Sequence, residues 1–319
     1  MNKRQKEILQ AQIDNEKEVL KQLEGNYKDA LAEINGKIEA LMARQDADMQ
    51  HVIYQVEYQK ALKTQVQAIL ENLQANEFET ISEYLAKAYE DGFIGTMYDL
   101  QGQGIPLIFP IDQKAVVAAI QADTKLSESL YAKLGHDITD LKKKITGEIS
   151  RGLSSGQMYS EISRNIATWA RIPKSNAMRI TRTEAHRIQC KATADAQHKA
   201  KEKGADVVKQ WDSILDSKTR ESHVEMDGEV AELDEPFSNG LEYPGDPKGS
   251  AEEVINCRCA LLQRARWALG NDYTKWSEDA PVVISDDGTT QFAIIDASSY
   301  KEFKGFYRDA TNQMTMNFQ

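Results

Sequence analysis

The chain has few cysteines and no long apolar run, and each shortage excludes a class of protein. Its three cysteines, Cys190, Cys257 and Cys259, are odd in number and unevenly spaced, so they do not form the disulfide framework of a small secreted domain. No stretch of about 18 apolar residues is present, so no membrane span is expected. The basic N-terminal residues are not followed by an apolar segment, which argues against a secretory signal. The sequence therefore predicts a protein made and used in a reducing cytosol.

The formal net charge of −11 is unevenly distributed along the chain. Between Lys142 and Lys209, fifteen lysines and arginines stand against six acidic residues, so this segment carries +9 and the rest carries −20. A basic segment in an acidic protein is typical of a surface that faces a polyanion. The alternative is a solvated helical face whose cations pair with acidic neighbours. Both interpretations are open at this point.

Apolar residues recur every seven places near the N-terminus, a pattern typical of a coiled-coil-like helix. The residues in this register are Ile13, Leu20, Tyr27, Ile34 and Leu41. A helical pattern continues to about Ala88. We expect the two helices to pack on each other as a hairpin, and self-association through them is the alternative.

A glycine- and proline-rich stretch, 99–112, separates this region from the rest and predicts a packed-down connector. Helices follow, with Gly152 predicted to end one of them and Pro173 to separate the next two. From Val207 the pattern changes to short strands, with Asp227-Gly228 as a hairpin pivot. The tail predicts a hairpin over 282–295 and a helix over 298–308 that packs through Tyr300, Phe303 and Phe306.

The predicted fold class is α+β and predominantly α-helical. Long N-terminal helices in a coiled-coil-like hairpin are followed by a helical region and a small C-terminal α+β unit. The predicted domains are the long-helix region 1–98, the connector 99–112, a body over 113–270, and a C-terminal hairpin and helix over 271–319.

One carboxylate falls on an apolar helical stripe. In the helix predicted over 176–203, Glu184 lies between Ile180 and Ile188 on the face that should be buried. Burying an unpaired charge is costly, so we expect a structural ion pair with Arg258 or Arg220. The alternative is a general acid or base.

The opposite face of the same helix carries Arg179, Arg182 and His186. Such a row could contact the phosphates of double-stranded DNA without sequence preference. It could equally be an ordinary solvated face. No aromatic residues are interleaved with it, so base stacking is not expected.

A third set consists of His223, Cys257 and Cys259, residue types that suit zinc. A fourth ligand would be Asp227, His186 or a water. The C-x-C spacing differs from the C-x₂-C of zinc ribbons, and the alternative is two small apolar strand residues with a hydrogen-bonded histidine. Apart from this zinc, no cofactor is predicted.

The ordered set of motifs in the C-terminal half resembles one protein family. Arg182-Thr-Glu184, Trp211-Asp212, Thr219-Arg220, His223, Asp227-Gly228, Phe237 and Asn256-Cys-Arg-Cys259 stand in the order found in it. The chain thus resembles the phage head-morphogenesis family of minor head proteins, whose best-known branch is the Mu F-like proteins. The resemblance covers about 138–267 and leaves the N-terminal heptads outside it.

The resemblance implies a non-enzymatic structural protein of a tailed phage or prophage head, located in the procapsid and virion and assembled in the bacterial cytoplasm. It further implies action at or near the portal vertex, with the portal protein and a scaffold or major capsid protein as partners. Packaged double-stranded DNA is a further expected contact, and a membrane is not.

Two other functions fit parts of the sequence. A metal-dependent nuclease or other DNA-processing enzyme could use His223, Asp227, Cys257 and Cys259, although their spacing matches no nuclease motif. A coiled-coil adaptor would explain the N-terminal heptads alone and would leave the Arg-Thr-Glu to Cys-Arg-Cys order unexplained.

Overall fold

The computed structural model describes residues 1–45, 52–121, 125–155, 159–266, 269 and 294–316. Its helices are α1 (Lys3–Gln45), α2 (Val52–Gly102), α3 (Gln113–Gln121), α4 (Lys125–Ser155), α5 (Tyr159–Glu202), α6 (Glu221–Glu225), α7 (Ala251–Val254) and α8 (Tyr300–Met316). Its strands are β1 (Val207–Asp212), β2 (Val230–Ala231) and β3 (Ala260–Ala265). A predominantly helical fold with a small α+β part is confirmed. The hairpin predicted over 282–295 lies outside the described residues except for its last two.

The chain forms two compact units that are discontinuous in sequence. Unit 1 consists of Met1–Glu16, Tyr84–Thr124 and Arg182–Gln319, and unit 2 consists of Lys17–Glu83 and Lys125–Thr181. Helices α1, α2 and α5 each contribute residues to both units. The four contiguous domains expected from the sequence remain predictions.

Unit 2 is built from parts of α1, α2, α4 and α5, and the apolar stripes of these helices form its core. The heptad residues Leu20, Tyr27 and Ile34 are buried, and the α4 stripe is buried too, comprising Ile138, Leu141, Ile145 and Ile149. A buried stripe needs facing helices, and here they come from the same chain. Ile13, the first residue of the predicted register, is 37% exposed and belongs to unit 1.

The core of unit 2 encloses one carboxyl group. Glu77 is buried, and the Tyr27 hydroxyl lies 3.1 Å from its Oε1 and donates to it. Burial raises the pKa of Glu77 to about 7, because the hydrogen bond from Tyr27 only partly offsets the lost hydration. Stability of this unit should therefore depend on pH.

Two predicted helix boundaries are wrong. Helix α4 runs past Gly152 to Ser155, and α5 continues through Pro173 without a break. A proline inside a helix removes one backbone hydrogen bond. Pro173 and the neighbouring Ala170 and Ala177 are buried, so tertiary packing holds the helix together where local propensity predicts a break.

Unit 1 contains a three-stranded antiparallel sheet in the order β2-β1-β3. The register pairs Val207 with Ala265 and Asp212 with Ala260. The strand predicted at Val207–Trp211 is confirmed. The predicted hairpin is only partly right: Gly228, at φ +83°, donates its N–H to the Trp211 carbonyl, but α6 lies between β1 and this turn.

Packing around the sheet comes from distant parts of the chain. The connector is packed down as predicted, with Leu107, Ile108 and Phe109 buried, although α2 extends to Gly102. Helix α8 is longer than predicted. It buries Tyr300, Phe303 and Tyr307, whereas Phe306 is 47% exposed, which corrects the predicted packing residue.

A buried amide network ties the N-terminus, α2 and β3 together in unit 1. The Asp99 carboxylate accepts hydrogen bonds from Asn2 at 2.7 Å, from Gln5 and Gln103 at 2.9 Å each, and from Gln263. Burial raises the pKa of Asp99, and these amide donors work against that rise. Such a network fixes relative position, because any unpaired member would be costly.

Among the described residues, no helix has both the length and the apolar composition needed to cross a membrane.

Candidate functional site

His223, Cys257 and Cys259, which the sequence predicts as one group, lie together in the core of unit 1. The His223 Nδ1 lies 3.2 Å from the Cys259 Sγ and 3.7 Å from the Cys257 Sγ. All three ligand atoms lie within 4.8 Å of one another. Both cysteines are free thiols, and all three residues are buried, with 2–5% of their surfaces exposed.

Short elements and a strained turn bring these residues together. His223 lies in α6, and the two cysteines lie between α7 and β3. Asn256, directly before Cys257, has φ 55°, in the left-handed region that asparagine tolerates better than most residues. Cys257 and Cys259 follow this turn, and both sulfurs face His223.

Helix α5 contacts the segment 255–259, here called the cysteine loop, at two points. The Asn256 N–H donates to the Thr183 hydroxyl at 3.3 Å, and His186 Nε2 lies 2.7 Å from the Cys259 carbonyl and donates to it. The helix that carries Glu184 and the Cys257–Cys259 loop therefore share one interior.

Aromatic and hydroxyl groups enclose the site. The Trp211 ring is edge-on to the His223 ring at 5.6 Å and to the Phe237 ring at 5.3 Å. The Ser213 hydroxyl donates to the His223 carbonyl at 2.6 Å, and its oxygen lies 3.4 Å from the Cys259 Sγ. These contacts fix the positions of the imidazole and of one sulfur.

A carboxylate orients the imidazole from its other side. The Glu253 Oε2 lies 2.7 Å from His223 Nε2. An ionised carboxylate only accepts, so Nε2–H donates and Nδ1 is left facing the sulfurs. Glu253 itself lies in α7, whose N-cap residue Ser250 accepts from the Glu253 N–H.

The neighbouring groups of the cluster shift one another's pKa values. The contacts with Cys257 and with His223 lower the pKa of Cys259, and the same sulfur contact and burial raise the pKa of Cys257. The Cys259 sulfur and Glu253 raise the pKa of His223 against the effect of its burial. A group of this kind can hold a soft cation or keep one thiolate beside an imidazole.

The predicted fourth ligands do not join the group in the described part of the chain. Asp227 accepts from the Ser213 N–H at 2.8 Å, and His186 is occupied by the Cys259 carbonyl. The protein donors that could hold a metal are thus His223, Cys257 and Cys259.

Glu184 is buried and ion-paired, but with a different arginine from those expected. Its Oε2 accepts from Arg187 Nε at 3.0 Å and Nη2 at 2.9 Å, and the Arg187 Nη2 also donates to the Ala119 carbonyl in α3. Side-chain exposure is 0% for Glu184 and 1% for Arg187. The pair joins α5 to α3 inside unit 1.

The two arginines proposed as partners of Glu184 have other contacts. Arg258 forms a bidentate salt bridge with Asp216, with N–O distances of 2.6 and 2.7 Å, and this lowers the pKa of the Asp216 carboxyl. Arg220 donates to the Ile255 carbonyl next to the cysteine loop. Both therefore support the loop around the cluster rather than the carboxylate in α5.

The three residues of the predicted DNA-facing row have different surroundings, and their contact with DNA stays a prediction. Arg179 belongs to unit 2 and lies 3.2 Å from the Asn176 side chain. Arg182 pairs with Glu16 at 3.0 Å, and His186 is half-buried against the cysteine loop. Within unit 1, Arg182 and His186 line a cleft of about 880 Å³ together with Lys218, Arg220 and Arg258.

Three residues of the site were not predicted from the sequence, namely Arg187, Ser213 and Glu253. Arg187 had a detectable signal, because it stands three places after Glu184 on the same helical face. Ser213 and Glu253 reach the cluster only through the tertiary fold, and no local pattern indicates them.

The sequence of the chain is similar to those of several known proteins. The sequence model of the family described as Phage Mu protein F like protein matches residues 143–262. The chain is 33% identical over 216 residues to the NAD(+)--arginine ADP-ribosyltransferase EFV of Enterococcus faecalis, covering 66% of this chain and 44% of that protein. It is 26% identical over 242 residues to the Minor head protein GP7 of Bacillus phage SPP1, covering 68% of this chain and 78% of that protein.

A third relative, an uncharacterized protein of Haemophilus influenzae, is 24% identical over 157 residues and 32% covered. The chain thus spans less than half of two of these relatives and about four fifths of the SPP1 protein. No solved structure matches it.

Proposed function

Because the chain belongs to the family of Phage Mu protein F like minor head proteins, we propose that it is a minor structural component of a phage head. The observation that carries the proposal is the similarity to the minor head protein of phage SPP1, which extends over 78% of that protein. The matched segment, 143–262, includes the whole of α5, the helix α6 that carries His223, and the first half of β3. We propose that the chain acts in procapsid assembly at or near the portal vertex.

The contact to portal, scaffold or major capsid protein is assigned to the outer faces of α1 and α2 in unit 2. Leu20, Tyr27 and Ile34, the middle positions of the α1 heptad, are buried inside that unit. The exposed face of α1 carries charged side chains, for example Lys21, Lys28 and Lys37. A partner would therefore bind through polar contacts that weaken with salt, rather than through a coiled-coil seam.

Contact with packaged double-stranded DNA is assigned to the basic faces of α4 and α5 in unit 2. Lys144 and Arg151 are exposed and seven residues apart on α4, and Arg164 and Arg171 have the same relation on α5. A spacing of seven keeps both cations of a pair on one side of its helix. Cations that neutralise phosphates bind DNA without sequence preference and release counterions.

The ADP-ribosyltransferase activity in the name of the E. faecalis relative belongs to a protein of which this chain spans 44%. We propose a structural role here, without catalysis. Bound DNA that stays intact is expected in every assay below. Nicking of a plasmid by the wild type that His223→Ala abolishes would contradict this role.

The assembly role is tested by removing the chain from the phage or prophage that encodes it. Wild-type heads should contain the chain and yield it together with portal protein after mild disruption. Heads made without it should be fewer, mis-assembled or unable to deliver DNA, and supplying the full chain in trans should restore them. Heads that form, package and deliver DNA normally without the chain would refute the proposal.

The DNA contact is tested separately with a matched pair of variants. One reverses four charges on α4 and α5 (Lys144, Arg151, Arg164 and Arg171 to Glu). The control reverses four exposed lysines of α1 and α2 in the same unit (Lys21, Lys28, Lys37 and Lys60 to Glu). The first should weaken binding to duplex DNA and flatten the dependence of log K on log salt by about 0.9 per lost phosphate contact. Equal weakening by both would mean that only net charge matters and would exclude this surface.

A further inference from the structure

We propose that His223, Cys257 and Cys259 bind one zinc ion that fixes the loop between α6 and β3. The proposal starts from the distances between donor atoms. A tetrahedral zinc site with Zn–S of about 2.3 Å and Zn–N of about 2.0 Å places its ligand atoms about 3.5–3.8 Å apart. The observed separations are 3.2 and 3.7 Å from Nδ1 to the two sulfurs, with all three atoms inside 4.8 Å. Shifts below about 1 Å would therefore suffice to form the site.

The charge balance favours a metal over free thiols. The three donors are buried, and two thiolates in such a place repel each other and lose hydration. A zinc ion bound to two thiolates and a neutral imidazole forms a group with no net charge. The protons of the thiols pass to solvent when the metal binds.

The environment of His223 is that of a metal ligand. Glu253 accepts from Nε2–H at 2.7 Å, which leaves the Nδ1 lone pair directed at the sulfurs. A carboxylate behind a ligating histidine is the usual support of zinc-bound imidazole. Ser213, whose hydroxyl oxygen lies 3.4 Å from the Cys259 Sγ, supports one sulfur in the same way. The fourth position is left for a water or another exogenous donor.

A reactive Cys259–His223–Glu253 triad is the competing interpretation, because a thiol, an imidazole and a carboxylate also stand in that order in nucleophilic enzymes. Two observations favour the metal. A second sulfur, that of Cys257, faces the same ring nitrogen, which a nucleophile does not need. Cys259 borders the cleft of unit 1 but is only 3% exposed, so little of its surface is open to a substrate.

The first test uses the unmodified full chain, purified under reducing conditions without chelator. Elemental analysis should find about one zinc per chain. The Co²⁺-substituted protein should show visible ligand-field bands of a tetrahedral ion and near-ultraviolet thiolate-to-metal charge transfer. These spectra need no variant, so they remain informative if variants fold poorly.

The second test uses variants with a buried-cysteine control. His223→Ala and Cys259→Ser should weaken zinc binding by more than about tenfold, and Glu253→Gln by about tenfold, since second-layer partners contribute that much. Cys190→Ser removes the remaining buried thiol, which lies in the same core but outside the three-residue group. This control should keep its zinc and its cobalt spectrum.

Three outcomes would overturn the proposal. The wild type could lack zinc and take up neither zinc nor cobalt when they are added. Cys190→Ser could lose as much zinc as His223→Ala, which would place the metal elsewhere. Iodoacetamide could label Cys259 of the folded chain rapidly whether or not zinc is present, which would favour the reactive triad.

Discussion

Replacing Glu184 by glutamine would leave the Arg187 guanidinium charged inside unit 1 without its carboxylate. The two side chains are 0% and 1% exposed and share two hydrogen bonds of 2.9–3.0 Å. Removing one partner of a buried ion pair costs about 3–5 kcal/mol, because the remaining charge is desolvated and uncompensated. That is a large part of the about 5–15 kcal/mol by which a domain is stable.

Removing both partners should cost far less. In Glu184→Leu with Arg187→Met neither charge of the pair is left, and the losses include the hydrogen bond to the Ala119 carbonyl, worth about 1 kcal/mol. The double-mutant cycle formed by Glu184→Leu, Arg187→Met and their combination should therefore give a coupling free energy of at least about 2 kcal/mol.

Urea unfolding at constant pH, followed by circular dichroism, measures these free energies, and hydrogen exchange of α5 peptides assigns the loss to unit 1. Arg182→Met on the same helix is the control, since its pair with Glu16 is 45% and 39% exposed and should change stability by less than about 1 kcal/mol. Single changes that cost less than about 1 kcal/mol, or additive effects in the cycle, would refute the reasoning.

Three further changes test the packing. Glu77 has a folded-state pKa of about 7 against an ordinary 4.5, so the stability that its neutral form contributes is complete below about pH 4.5 and is lost as pH rises through 7. Over that range the free energy of unfolding of Glu77→Gln, measured in urea, should rise relative to the wild type, by up to about 3 kcal/mol at pH 8. A difference that does not depend on pH would contradict this. Gly92→Ala would place Cβ 2.5 Å from the Gln189 carbonyl and should destabilise by about 1–3 kcal/mol, whereas Gly147→Ala, with open space around it, should stabilise by about 0.5–1 kcal/mol in thermal melts. Asn256→Gly should be tolerated at φ 55° and Asn256→Val should lose about 1–2 kcal/mol; equal unfolding midpoints would count against a strained turn.

Sequence periodicity predicted the parts of the fold that depend on local pattern. Leu20, Tyr27 and Ile34 of the α1 register and the stripe of α4 are buried where the spacing indicated, because a helix places residues three and four apart on one side. His223, Cys257 and Cys259 do lie together as the sequence indicated, and their binding of a metal stays a prediction.

What could not be predicted depends on long-range packing. Pro173 lies inside α5 because its neighbours are buried on the core of unit 2, a tertiary effect that outweighs local preference. Glu184 was paired in the prediction with distant arginines, whereas Arg187, one turn away, fills that place. The contact of Glu253 with His223 depends on the packing of α6 against α7, which the sequence of neither short segment predicts.

The interleaving of unit 1 along the chain has a consequence for how such genes can recombine. The recognised stretch, 143–262, does not hold its own core: Arg187 donates to the Ala119 carbonyl, the Tyr89 hydroxyl donates to Asp195, and Gly92 lies against Gln189. A crossover that exchanged only that stretch between two phage genomes would separate these partners. Viable mosaics should therefore inherit the flanks and the stretch from one parent, and grafted or excised versions cut at its limits should aggregate instead of folding.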